Sequence, residues 1–507
     1  MARQASVSKS ITAPVGGWDT ENALADMPEI NAVVLDNFFP NTDSVELRKG
    51  FTEWSTGMTG NVETLMQYAK TDGTNEFYAV NDGNVYDISS IGAVGLPKVS
   101  GLTNSRFQYI NFGNAAGSFL IAVNGEDTPL LYDGTTWSNT SITGSGLTED
   151  NIVWINNHQN RLWFGEKDSL DAWYLAATTI GGTATLFPLG GIAKLGGYIV
   201  GMGTWTRDSG DGSDDVAIFF TSNGEAIIYA GTDPSNISTW SLIGVFGIGK
   251  PIGRRGIIKA GADLVLITQD GFVTAQSILM TDRSQSQKVA ISTQINSAVN
   301  KAVRQYGGLF GWEAFIYPKG TMLIFNIPQG GNKYHQYIFN TLTGKPCRFI
   351  GINANTFCLY GDNAFFGGVD GKVYKFDDGL TDNGSDIVAD AIPAFSYFGS
   401  KGNVKSFKLA DLLLISDGLP VIDIELNTDF QIKQSIANLT PLKITPGLWD
   451  SSLWDSGLWV QNEAVYSGWR GITGIGRAAS LRLRIVSKIF NLKWVATNFT
   501  FINGGQL

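Results

Sequence analysis

The chain has little of what most site chemistries need. Its 507 residues include two cysteines, Cys347 and Cys358, and two histidines, His158 and His335. Four such residues, scattered, are too few for a zinc site. The two cysteines lie in alternating apolar segments and read as small core residues. A disulfide between them is open but not required. Charged side chains make up only 16% of the chain, against about 25% in ordinary soluble proteins. No Lys/Arg cluster stands out, and the net charge is −10. That excludes tight binding to nucleic-acid phosphates and suits a surface past which DNA must slide. Long apolar runs are missing as well. The most apolar stretch, Leu186 to Val200, is broken by Lys194 and several glycines, so no membrane span is expected. Met1 to Pro14 has no apolar core of signal-peptide length, which leads us to expect synthesis and assembly in the cytoplasm.

What is abundant is glycine, 61 residues, and aromatic side chains, at 12%. This composition fits neither disorder, which is aromatic-poor and charge-rich, nor a coiled coil. It predicts a mainly β fold with many turns.

The strongest pattern is a recurrent hairpin. Phe77 to Asp87, Phe219 to Tyr229, Leu264 to Val273 and Phe365 to Phe376 each alternate apolar and polar residues around an Asn-Gly or Asp-Gly turn. These dipeptides supply the positive φ that tight hairpins need. Less regular copies lie near Phe119–Trp137, Arg161–Tyr174 and Phe315–Phe339. The turn glycines Gly83, Gly125, Gly224, Gly271 and Gly371 are about 42, 99, 47 and 100 residues apart. Each long gap is near twice a short one and holds an irregular copy. A unit of about 40–50 residues, each a small antiparallel sheet, is the signature of a β-propeller. Residues 62–385 accommodate about six or seven blades. A large sandwich or several β domains is the structural alternative.

Outside the repeat, Asp26-Met27-Pro28-Glu29 reads as a helix start, followed by a short helix carrying Ile30, Val33 and Val34. Leu35 to Pro40 is extended, and Val45 to Phe51 alternates like a strand ending in a turn. Ile291, Ile295, Ala298, Val299, Ala302 and Val303 share one face of a helix between Ser292 and Tyr306. After residue 386, strands are expected at Val404–Leu414, Leu419–Leu426, Ser480–Val486 and Trp494–Ile502. Between them Trp449, Trp454 and Trp459 recur every five residues, with Trp469 close behind. That spacing fits neither helix nor strand. These rings either pin a loop to its own domain or form a subunit interface, where tryptophan concentrates.

Motifs for catalysis fail on context. Gly244 to Pro251 nearly matches a phosphate-binding loop, but Pro251 has neither hydroxyl nor N–H to offer and no helix start follows. Gly474 to Ala479 imitates a dinucleotide fingerprint but leads into a strand. The acidic loop Asp208 to Asp215 lacks EF-hand spacing. Asp133 to Trp137 is one residue short of the aspartate box of sialidases. No nucleophile elbow is present. No catalytic residue, cofactor site or metal site is therefore assigned, and we expect a protein that is not an enzyme.

Leu35-Asp36-Asn37-Phe38-Phe39-Pro40, followed by Val45-Glu46-Leu47-Arg48-Lys49-Gly50-Phe51, resembles the N-terminal pattern of tail nozzle proteins of short-tailed bacteriophages, an aromatic-Pro element and then a strand ending in Arg-x-Gly-Phe. In the related packaged-DNA stabilisation proteins a propeller-like body follows, in a chain of similar size. The resemblance implies a structural virion protein, a tail tubular component whose homo-hexamer ring retains packaged DNA and conducts it at ejection without sequence-specific binding. It implies adaptor and tail-fibre or spike proteins as partners. It also implies one β-rich platform made from both chain ends, 1–61 and 386–507, with the propeller, 62–385, inserted between them. A propeller glycan hydrolase and a host-receptor-binding tail module are the alternatives.

Overall fold

The computed structural model describes residues 6–70, 72–206, 215–261, 263–280, 290–418, 420–433, 463–487 and 490–506. It is a seven-bladed β-propeller carried on a second β unit built from both ends of the chain. Each hairpin of the repeat, regular or irregular, belongs to one blade. The turn glycines Gly83, Gly224 and Gly371 do hold positive φ (71°, 90° and 74°). At Gly371 a Cβ would also lie 2.2 Å from the Met58 carbonyl oxygen.

Blade one is Val62–Tyr68, Glu76–Asn81 and Asn84–Asp87, with a single bridge from Val85 to Val99 in place of a fourth strand. Blade two is Gln108–Asn114, Gly117–Val123, Leu130–Tyr132 and Trp137–Asn139; blade three is Ile152–His158, Arg161–Glu166, Asp171–Tyr174 and Thr185–Pro188. Blade four is Ile199–Trp205, Val216–Thr221, Glu225–Gly231 and Trp240–Gly247. Blade five has three strands, Ile257–Ala260, Asp263–Thr268 and Gly271–Thr274, followed by the helix Ala275–Met280. Blade six is Glu313–Tyr317, Met322–Gly330, Lys333–Asn340 and Pro346–Ile350.

Blade seven closes the ring with a borrowed strand. Ala354–Tyr360, Asn363–Gly368 and Val373–Phe376 are completed by Phe51–Thr56, which pairs antiparallel with Val373–Phe376. The propeller therefore begins before residue 62, and the boundary read from sequence is corrected. Hairpin spacing could not reveal this strand, because its partner lies some three hundred residues away. Separate apolar clusters fill the seams between neighbouring blades from seven and one round to four and five.

The remaining seams share one large core with the second unit. In that unit Ser6–Thr12 pairs antiparallel with residues 496–502 of the strand Leu492–Gln506, which also pairs with Asn403–Ser416. A second sheet runs out of the propeller itself. Blade six continues through Asn31–Asp36 to Ile387–Pro393, Ala479–Ser487 and Ile422–Thr428, and Gly17–Trp18 pairs parallel with Asn31–Asp36, giving one nine-stranded sheet. The chain ends are thus hydrogen-bonded to each other and, through blade six, to the propeller.

The helix expected after Asp26 does not form. Residues 24–30 are turns, and Val33 and Val34 lie in the strand Asn31–Asp36. β-Branched residues fit a pleated sheet, and this strand has sheet partners on both edges. The second helix does form, as Asn296–Tyr306, burying Val299, Ala302 and Val303. Just before it, Gln294 donates to the carbonyls of Gly16 and Trp18 at 2.8 and 3.0 Å, tying this connection to the N-terminal segment.

Candidate functional site

Two places concentrate polar organisation: the junction between propeller and second unit, and the central channel. The junction is built from the motif residues between Asn37 and Phe51. Asn37 holds φ at 59°, a conformation asparagine tolerates better than most residues. Its side-chain oxygen accepts from Arg48 Nε at 2.8 Å and Ile350 N at 2.9 Å, and its amide donates to the Val388 carbonyl at 2.7 Å. Arg48, almost wholly buried, donates to both oxygens of Asp382 at 2.7 Å and to the Lys49 carbonyl at 2.9 Å. Gly50 lies so close to the next segment that a Cβ would fall 1.8 Å from the Thr381 carbonyl oxygen. Phe51 then enters blade seven and meets Phe366 and Tyr374 edge-on, both at 5.1 Å. The aromatic-Pro element, Phe38–Pro40, pairs with Val45–Leu47, and Phe38 packs near Trp494.

A row of charges crosses the same junction. Arg348 of blade six stands beside Asp36, Asp36 beside Asp390, and Asp390 beside Arg484 on successive strands. Arg348 donates two bonds of 2.7 Å to Asp36, and Arg482 donates to Asp390 at 2.9 and 2.5 Å. Bidentate pairs of this kind are directional and fix strand register as well as attraction.

The channel runs down the propeller axis. One strand from each blade lines a cavity of about 520 Å³, contributing among others Gln67, Tyr109, Asn156, Met202, Ile258, Phe315 and Cys358. Glu313 faces this cavity; burial raises its carboxyl above the ordinary range, and it accepts from the Phe357 N–H at 2.9 Å. Burial pushes the Cys358 thiol up to about 12, and its sulfur lies 3.3 Å from the Tyr109 hydroxyl. Cys347 is likewise a buried free thiol, in the large core.

His158 borders a second cavity, of about 630 Å³, at the end of blade three's inner strand. Burial holds its ring down to about 4. Nδ1 lies 3.1 Å from Thr204 Oγ1, which itself donates to the Asn157 carbonyl at 3.0 Å. The threonine proton is thus committed, so Nδ1 carries the imidazole proton and Nε2 is the bare acceptor. Nε2 has no partner. Neither histidine neighbours a metal-binding set, since no group of three His, Cys, Asp or Glu among the described residues could hold an ion.

Trp469 starts the strand Trp469–Gly476, opposite Asp411, and is half exposed; Val465 and Ile475 are exposed nearby in the same sheet. Trp449, Trp454 and Trp459 lie outside the described residues, as does the acidic loop up to Asp214. Gly244–Gly247 is part of blade four's outer strand, and Gly474–Ala479 is the bend that joins two strands of different sheets, so neither glycine motif opens a helix. Sequence reasoning missed Asp382 and the arginines of the channel, and it named Asp36 within the motif without its pairing to Arg348. Asp382 has no motif of its own and is identified only by what Arg48 reaches.

The sequence matches no protein-family profile and no curated protein. Among solved structures it is similar to YCF48 from Cyanidioschyzon merolae, with TM-score 0.39 and 12% identity over 65% of this chain and 98% of that one. It is also similar to BBS1N in complex with ARL6DN, with TM-score 0.43 and 10% identity over 66% and 99%. Raptor of Chaetomium thermophilum gives TM-score 0.40 and 9% identity over 66% and 29%. Likenesses at this level carry no argument about ligand, partner or activity.

Proposed function

We propose that this chain is a structural subunit of the distal nozzle ring of a short phage tail, retaining packaged DNA and conducting it at ejection. One observation carries the reading. The residues on which the resemblance rests, Asn37, Arg48, Gly50 and Phe51, are the ones that clamp the propeller to the unit built from both chain ends. A chain that must transmit load between an upstream ring and a docked fibre needs its two bodies joined without a hinge. A continuous sheet, a shared core and a buried bidentate ion pair supply that.

Two further features support the reading. The net charge of −10 suits a lumen through which DNA moves without sticking. The exposed apolar side chains Val465, Trp469 and Ile475 suit a contact with the next subunit of a six-membered ring. The adaptor ring and a tail fibre or spike are the partners on this reading, and the chain performs no catalysis.

Mass photometry of a portal–adaptor assembly, with and without the protein, tests this. A gain of about six copies per assembly is expected, even where the free protein is monomeric. Failure to bind a competent assembly overturns the ring role and leaves a receptor-binding module or a glycan hydrolase, which polysaccharide binding and cleavage assays then separate.

A further inference from the structure

The most unusual electrostatic feature of this acidic chain is a basic mouth at one end of the channel. Arg106, Arg254 and Arg255 all line a cavity of about 370 Å³ there, and the two adjacent arginines also line the 520 Å³ axial cavity. Volumes in this range are typical of ligand sites. Phe310 is held between guanidinium groups. Arg106 lies 4.3 Å and Arg255 5.2 Å from the centre of its ring.

The three arginines have different occupations. Arg106 donates to Glu63 at 3.1 Å. Arg255 donates to the Glu63 carbonyl, Thr64 Oγ1 and the Phe107 carbonyl at 2.8, 2.7 and 2.9 Å, all uncharged oxygens, so three of its five N–H donors are held by the framework, and Glu313 and Glu63 act on its charge without an ion-pair contact among the described residues. Arg254 makes no hydrogen bond or ion pair with any described residue, although it borders both cavities. Beyond Phe310 a smaller groove continues, lined by Arg106 and Lys333 and by Glu63, whose carboxylate is already paired with Arg106.

We propose that this mouth binds an extended acidic segment of a partner protein, with one carboxylate gripped by Arg254 and a second reaching toward Lys333. The fork of a guanidinium matches a carboxylate in two parallel hydrogen bonds. Phosphate sites instead gather several donors, commonly backbone N–H groups at a helix start or a glycine-rich nest. The mouth is walled by the apolar Val153, Val200, Leu309 and Trp312 and by the polar side chains of Asn104, Gln108, Asn124, Tyr198 and Ser222, a mixture that can meet both the stems and the backbone groups of a chain. That lining favours a peptide, whose carboxylates stand on an apolar stem, over a free inorganic anion. The inference does not depend on the ring reading.

Fluorescence anisotropy with a labelled peptide of alternating Glu and Leu, on the full-length protein at low and physiological salt, tests it. Saturable, salt-weakened binding is expected, with no binding of the same peptide carrying Lys for Glu. Arg254→Gln, at an exposed residue outside the folding framework, is expected to weaken binding at least tenfold while the thermal transition is unchanged. Lys333→Gln is expected to weaken it less. Absence of saturable binding, equal affinity of Arg254→Gln, or tighter binding of a single-stranded oligonucleotide of matched charge would each overturn the proposal, the last by making this a polyphosphate site.

Discussion

Arg48 and Asp382 meet in two parallel hydrogen bonds of 2.7 Å, although 334 residues separate them in sequence. The pair lies where the N-terminal segment passes into blade seven. The Arg48 side chain is only 1% exposed, so its charge depends on this one carboxylate. Breaking such a pair from one side strands a buried charge and costs about 3–5 kcal/mol. Arg48→Met is therefore expected to lower the urea midpoint strongly. The double substitution Arg48→Met with Asp382→Leu recovers much of the loss, because neither charge is then left alone. Equal loss in the single and double variants would show that the arginine acts through packing on Phe349, whose ring lies 5.7 Å away.

Gly50 is required by space rather than by backbone conformation. A methyl group there collides with the backbone of Thr381, which cannot swing aside as a side chain would. Gly50→Ala is expected to cost about 3 kcal/mol or more. Gly60, which has nothing within 4 Å of an added Cβ, serves as the comparison. Its own alanine variant bears only the strain of a positive φ. Calorimetric transitions of the two variants measure the difference.

Stability should fall on mild acidification. His158 has a folded pKa near 4, against 6.5 for the free side chain, because burial opposes its charge. As pH drops, the unfolded chain binds the proton first. The contribution is therefore complete above about pH 6.5, declines down to about pH 4 and is gone below that. Its ceiling is about 3 kcal/mol, at about 1.4 kcal/mol per pH unit. His335 is also held down to about 4, by burial and then by the field of Arg348, and works in the same window. The loss of stability between pH 7 and pH 4 should be smaller in His158→Gln than in the parent. Nitrogen NMR of the parent should show His158 protonated on Nδ1; a proton on Nε2 would contradict the Thr204 bond network.

Both thiols should be silent in the native protein. Cys347 and Cys358 are buried, and desolvation raises both thiol pKa values. A thiol-disulfide reagent at pH 8 should find no reactive thiol before denaturation and two after it. Rapid labelling of one cysteine under native conditions would show that the channel near Cys358 opens.

The amino-acid sequence by itself determined the parts with local causes. Asn-Gly and Asp-Gly turns between alternating strands specify hairpins over a few residues, and their recurrence made the propeller legible, including its irregular blades. The helix Asn296–Tyr306 was legible too, since Ala298, Val299, Ala302 and Val303 lie within it, although Ile291 and Ile295, read as part of the same stripe, precede it. The sheet role of Val33 and Val34 was not, because a Pro in a plausible first turn is a local signal and the competing sheet partners are distant. The fourth strand of blade seven, the partnership of Arg48 with Asp382 and the gathering of Arg106, Arg254 and Arg255 around Phe310 were decided only by tertiary structure. Each joins residues whose spacing carries no period, and alternation tells which residues share a face without saying what that face will meet.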